Sequence, residues 1–245
     1  MEESLRQQYL EAMGIQSWVW RDVTPEPDVV QVPAEAPPTN LQLEPVEDAP
    51  PPKVKTRNEV TTLDWDGLRS QVESCKACDL HKTRTQTVFG VGNQNAELMI
   101  IGEAPGADED RQGEPFVGKA GQLLNAMLKA IGFSREQVFI ANILKCRPPG
   151  NRDPHLEEAL NCEPFLQRQI DLIQPKVILA VGRVAAHNLL KTDVTVGKLR
   201  GREDFIGTAK IPVVVTYHPA YLLRSPDQKA KAWQDLQRAY CLLKG

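Results

Sequence analysis

No stretch of this 245-residue chain approaches the roughly 20 apolar residues of a membrane span. Nor do its first residues hold an apolar run of the kind a secretory signal needs. A soluble, cytoplasmic protein is expected. Basic residues are missing from residues 22–52, which carry seven Asp or Glu and nine of the 19 prolines. Such a composition cannot bury enough apolar surface to offset chain entropy, which excludes a core there. We read residues 22–57 as a disordered acidic linker, whose stretch 22–52 could reach on the order of 90 Å at roughly 3 Å per residue. Cysteine is scarce, five in all. In a reducing compartment so few thiols serve as metal ligands more often than as disulfides.

The 41% hydrophobic content is nevertheless enough for a substantial core, and it concentrates after the linker. The net charge of −3 is equally uneven, since residues 53–245 hold 27 basic against 22 acidic side chains, a balance of +5. That balance suits a polyanionic partner, although many proteins that never touch nucleic acid share it. Three parts follow: a peptide at 1–21, the linker, and one domain at 58–245. In the domain, apolar runs at residues 97–101, 138–141, 177–181 and 213–215 alternate with helical patterns. Leu123, Leu124, Met127, Leu128 and Ile131 recur at helical spacing after the first run, and Leu156, Leu160, Leu166, Ile170 and Ile173 after the second. Runs that are apolar throughout, separated by helices, belong to a buried parallel sheet. The expected fold is α/β, a three-layer α/β/α sandwich around about four parallel strands, with ligands gathering at the C-terminal strand ends.

Four cysteines are patterned as Cys75-x-x-Cys78, then Cys146, then Cys162. Thiolates two residues apart can face one metal centre, and the fold can bring in the distant pair. Spacing alone leaves zinc, an iron–sulfur cluster and plain buried cysteines open. Cys241, among apolar residues near the C-terminus, is expected in the core. The turn after the first run reads Gly102-Glu103-Ala104-Pro105-Gly106, with Asp108, Glu109 and Asp110 behind it and Phe116 beyond. Glycines let backbone approach a ligand, and carboxylates past a strand end can orient water. By itself such a turn is equally a helix cap. Later runs end in Asn142 and, at the last, in His218-Pro219-Ala220-Tyr221-Leu222-Leu223-Arg224, which puts an amide, an imidazole and an apolar-basic loop at the same predicted edge.

Together these segments resemble the family 4, iron–sulfur uracil-DNA glycosylases across about residues 63–243. The resemblance implies a [4Fe–4S] cluster on Cys75, Cys78, Cys146 and Cys162 and removal of uracil from DNA. It makes Gly102, Ala104, Pro105 and Gly106 part of the uracil pocket, Phe116 the aromatic stacked on the flipped base, and Asn142 the amide that reads uracil. His218 becomes the imidazole donating to O2, and Glu109 the acid orienting the attacking water with Glu103 nearby. Tyr221 and the Leu222-Leu223-Arg224 stretch become the loop that enters the DNA.

At the other end, Ser4 and Gln7 can form a capping box, and Leu5, Tyr9, Leu10 and Met13 share a face, with Ile15, Trp18 and Trp20 following. An apolar cluster ahead of a long tether has no local core and reads as a docking peptide. Residues 9–21 resemble the N-terminal peptide of the psi subunit of bacterial DNA polymerase III, which implies the clamp loader as partner. A monomer is expected. The rival readings are a psi-like replisome scaffold with weak or no excision, and a nucleotide-binding α/β protein that rests only on the Gly-rich turns.

Overall fold

The four apolar runs form the middle of one sheet. The computed structural model describes residues 60–244; the docking peptide and acidic linker therefore lie outside the described residues. The strands are β1 (Val91–Gly92), β2 (Leu98–Gly102), β3 (Phe139–Asn142), β4 (Val177–Val181), β5 (Asp204–Ile206) and β6 (Ile211–Thr216). Their order is β1-β3-β2-β4-β6-β5. The central four are parallel, with Ile100 opposite both Ile140 and Leu179, and Leu179 opposite Val214. Both edges are antiparallel additions that the sequence pattern did not reveal. They are two and three residues long and only partly buried, too short for a periodic signal.

Strand pleating sends alternate residues to opposite faces. Met99, Ile101, Phe139, Ala141, Ile178, Ala180, Val213 and Val215 build one core with helices α4 (Leu156–Ile173) and α5 (Arg183–Leu190). Leu98, Ile100, Val138, Ile140, Val177, Leu179 and Val214 build the other with α3 (Lys119–Ala130) and α8 (Lys229–Lys244). Covering both faces explains why β2 and β4 are apolar at every position. Each fully buried Leu or Ile contributes roughly 1.5–3 kcal/mol, so the sheet holds its strand ends in fixed relation. A third cluster, Val60, Leu68, Val72, Phe89 and Phe165, packs α1 (Trp65–Glu73) against α4. There Trp65 meets Phe89 and Phe139 edge-on at 5.4 and 5.3 Å.

Two expectations about helix faces are corrected. Leu156 and Leu160 are exposed, whereas Ala159, Cys162, Leu166, Ile170 and Ile173 form the buried stripe. At about 100° per residue the two leucines fall outside that stripe, although all are apolar. Cys241 is exposed rather than in the core. Helix α8 buries Ala232, Asp235, Leu236, Ala239 and Leu243, and position 241 points the opposite way. No helix among the described residues is long and apolar enough to cross a membrane.

Candidate active site and thiolate site

Parallel strands end together, and at that edge β2, β3, β4 and β6 surround a cleft of about 710 Å³. Glu103, Ala104, Gly106, Glu109, Phe116 and Asn142 line one side, and Arg183, Tyr217, His218, Tyr221 and Arg224 the other. Gly102 lies beneath. A Cβ there would come within 2.5 Å of Asn142 Oδ1 and 2.6 Å of Phe116 Cζ, so only glycine lets amide and ring share the floor. Pro105 is buried within the turn. The backbone turns out of β4 at Gly182, whose φ of +98° demands glycine, and a Cβ there would come within 2.9 Å of His218 Cβ.

Phe116 sits in left-handed backbone geometry, φ 55°, which a bulky residue adopts only when its surroundings enforce it. They do so from both sides. The Glu109 carboxylate accepts from Val117 N–H at 2.9 Å and Gly118 N–H at 3.2 Å through Oε1, and from Gly106 N–H at 3.1 Å through Oε2. Arg135 donates to the carbonyls of Pro115 and Phe116. The ring is thereby held 5.7 Å, centroid to centroid, from the imidazole of His218.

His218 N-caps helix α7 (Pro219–Arg224), its Nδ1 accepting from Ala220 N–H at 3.1 Å. The acceptor role leaves the ring proton on Nε2. Burial, assisted by the Arg224 charge and opposed by Glu109, pushes its pKa down to about 4. It is therefore a neutral donor at neutral pH. Asn142 is buried, and its Oδ1 has no hydrogen-bond partner among the described residues. An unpaired buried amide oxygen is costly unless a ligand supplies the missing donor.

The two glutamates differ. Glu109 lines the cleft, but backbone amides already engage both of its oxygens. The Glu103 carboxylate makes no hydrogen bond among the described residues, and burial together with Asp153 raises its pKa against the opposing pull of Arg183. The segment expected to be a DNA-entering loop is helix α7. Leu222 is buried in the core, whereas Tyr221, Leu223 and Arg224 are exposed. Sequence reasoning missed Arg183 and Tyr217, which no motif distinguishes from ordinary surface and core positions.

Cys75, Cys78, Cys146 and Cys162 line a second, small cavity between α1 and α4. Among the described residues no three His, Cys, Asp or Glu side chains converge on a single metal ion. A cubane cluster, however, takes one thiolate at each of several irons rather than four on one point. The surroundings suit anionic sulfur. Arg84 donates to Cys146 Sγ at 3.0 Å, and the Leu80 and Lys145 amides donate to the sulfurs of Cys78 and Cys162. As free thiols Cys78, Cys146 and Cys162 are hard to ionise, burial pushing Cys162 up to about 12. Metal binding replaces those protons. Arg84 and Lys145 were not anticipated, since charge partners of a thiolate carry no spacing rule.

An aromatic floor, an unpaired amide and a neutral imidazole at parallel strand ends define a site for one flat, hydrogen-bonding heterocycle. Comparison with known proteins specifies which class. Residues 89–237 match the model of the uracil DNA glycosylase superfamily. A type-4 uracil-DNA glycosylase of Archaeoglobus fulgidus is 45% identical over 179 residues, covering 71% of this chain and 90% of the relative. One of Thermotoga maritima is 40% identical over 193 residues, covering 77% and 97%. The chain belongs to the uracil DNA glycosylase superfamily, in its type-4 family.

Proposed function

We propose that the chain hydrolyses the N-glycosidic bond of deoxyuridine in DNA and releases uracil. The observation that carries this reading is the buried, unpaired Oδ1 of Asn142 beside Phe116 and His218. A base turned out of the helix stacks on Phe116, and Asn142 accepts from N3–H through Oδ1 while its amide nitrogen donates to O4. Cytosine presents the reverse pattern at both atoms and leaves the amide mispaired. As the C1′–N1 bond breaks, the electron pair moves into the base, and the Nε2–H of His218 donates to O2 where negative charge collects. Water adds its hydroxyl to C1′ and passes its proton to a carboxylate. Because Glu109 is engaged by three amides, Glu103 takes this role and Glu109 acts as the brace of the Phe116 loop. Arg224, Tyr221 and Leu223 face the DNA at the cleft rim.

Cys75, Cys78, Cys146 and Cys162 would hold a [4Fe–4S] cluster, supported by their shared cavity and by Arg84. When bound, the cluster supplies iron–thiolate bonds that cross-link the α1 side of the fold to α4 and the segment after β3. For residues 1–21, the apolar composition ahead of an acidic stretch supports a docking role, and the resemblance of residues 9–21 to the psi-subunit peptide points to a DNA polymerase III clamp loader as the partner. The complete set of Phe116, Asn142 and His218 favours excision over a scaffold role.

Uracil release from single- and double-stranded oligonucleotides, wild type beside Asn142→Asp, tests the reading. We expect rapid release by the wild type, and for the variant a lost preference for uracil, since a carboxylate cannot donate to O4. Equal selectivity in both would remove Asn142 from recognition.

A further inference from the structure

Lys145 is fully buried, yet no acidic side chain pairs with it among the described residues. Its Nζ donates to the carbonyl of Asn142 at 2.9 Å and to Gln169 Oε1 at 2.7 Å. Gln169 in turn donates from Nε2 to the carbonyl of Phe89 at 2.9 Å. Lys145 also lines the small cavity of the four cysteines, its neighbour in the chain is Cys146, and its own backbone amide donates to the sulfur of Cys162.

A buried ammonium without a counter-charge is strongly unfavourable, and an apolar side chain of similar length would fill the same space without that penalty. The lysine makes physical sense if the thiolate site beside it is anionic. Its other contact is the backbone of the residue that reads the base. We propose that Lys145 is a positioning residue that ties the charge of the cysteine site to the placement of Asn142, with Gln169 fixing its direction. The link rests on the reading of Asn142 as the uracil-binding amide. It runs through the main chain: the ammonium clamps the Asn142 carbonyl, and the last residue of β3 is held while its side chain projects into the cleft. Small displacements of a recognition group are amplified in rate, and losses reach roughly 100-fold for shifts near 1 Å.

The test uses the full chain purified anaerobically with iron bound. Lys145→Met removes the charge while keeping bulk. We expect uracil release under single turnover to slow on the order of 10-fold, with apparent DNA affinity little changed, as for lost alignment rather than lost binding. The midpoint potential of the iron site should move to more negative values, because a neighbouring positive charge favours the reduced form. In an Asn142→Ala background the same substitution should cause no further slowing, since coupled residues are not additive. Wild-type rate and potential in Lys145→Met would overturn the proposal, and so would full additivity in the double variant. If Lys145→Met does not fold or load iron, Gln169→Met serves instead. It should slow release in the wild-type background and not in Asn142→Ala, and a wild-type rate would overturn the link. An Asn142→Ala variant of wild-type activity would instead sink the recognition reading on which the link depends.

Discussion

At the scale of single residues, the cleft separates groups that move protons from groups that hold position. His218 is kept neutral, so its contribution does not depend on titration near its ordinary value of 6.5. Protonation begins only as pH falls toward about 4, where the Nδ1 lone pair that accepts from Ala220 is lost. The sign for stability follows. In the window from 6.5 down to about 4, the unfolded chain takes up a proton that the folded chain refuses, so stability declines with falling pH. In the proposed reaction Glu103 acts through its carboxylate, and burial raises its pKa from the ordinary glutamate value. The acid limb of the single-turnover rate should therefore belong to Glu103. Glu103→Gln should flatten that limb and slow excision, and His218→Ala should slow it by about 10²–10³-fold while leaving the limb in place. A limb that persists unchanged in Glu103→Gln would return the water-orienting role to another group.

At the scale of elements, the chain places its two sites on either side of the segment between β3 and α4. That segment begins at Asn142 in the cleft and passes Lys145 to Cys146 at the thiolate site, only four residues on. Helix α4 supplies Cys162 and Gln169 from its buried stripe. The Cys75 and Cys78 turn reaches the same cavity because α1 packs against α4 through Leu68, Val72 and Phe165. Cys75→Ser should accordingly lose iron, measured by metal analysis, and lower the melting temperature. Cys241→Ser should change neither, because Cys241 is exposed on the outer face of α8. Iron content equal to wild type in Cys75→Ser would reject the four-thiolate site.

At the scale of the whole molecule, the chain joins an acidic, proline-rich stretch to a domain of the opposite charge. Under the proposed docking role, that stretch would act as a tether and raise the local concentration of the catalytic domain around the partner. Trp18, Trp20, Leu10, Met13 and Ile15 supply apolar surface worth several kcal/mol at roughly 25 cal/mol per Å² before ordering costs, enough for micromolar binding. Deleting residues 1–21 should abolish capture by a DNA polymerase III clamp loader in a pull-down and leave uracil release from free oligonucleotides intact. Full-affinity capture of the truncated chain, or unfolding on truncation, would reject the docking role.

The sequence by itself determined the layered fold, because strands buried on both faces must be apolar at every position, and residues 98–101, 138–141, 177–181 and 213–215 carry that requirement openly. It also pointed to residues of the cleft, since the segments holding Phe116, Asn142 and His218 carry the family resemblance, Asn142 closing β3 and His218 following β6. Only the tertiary structure decided what each of them can do. The amides that occupy Glu109, the helix that commits Leu222 to the core, and the stripe that leaves Leu156, Leu160 and Cys241 outside all depend on which neighbours close around a side chain. Hydrogen-bond capacity and burial belong to such environments, between Lys145 and Gln169 as between Arg84 and Cys146. Residue type and spacing along the chain do not encode them.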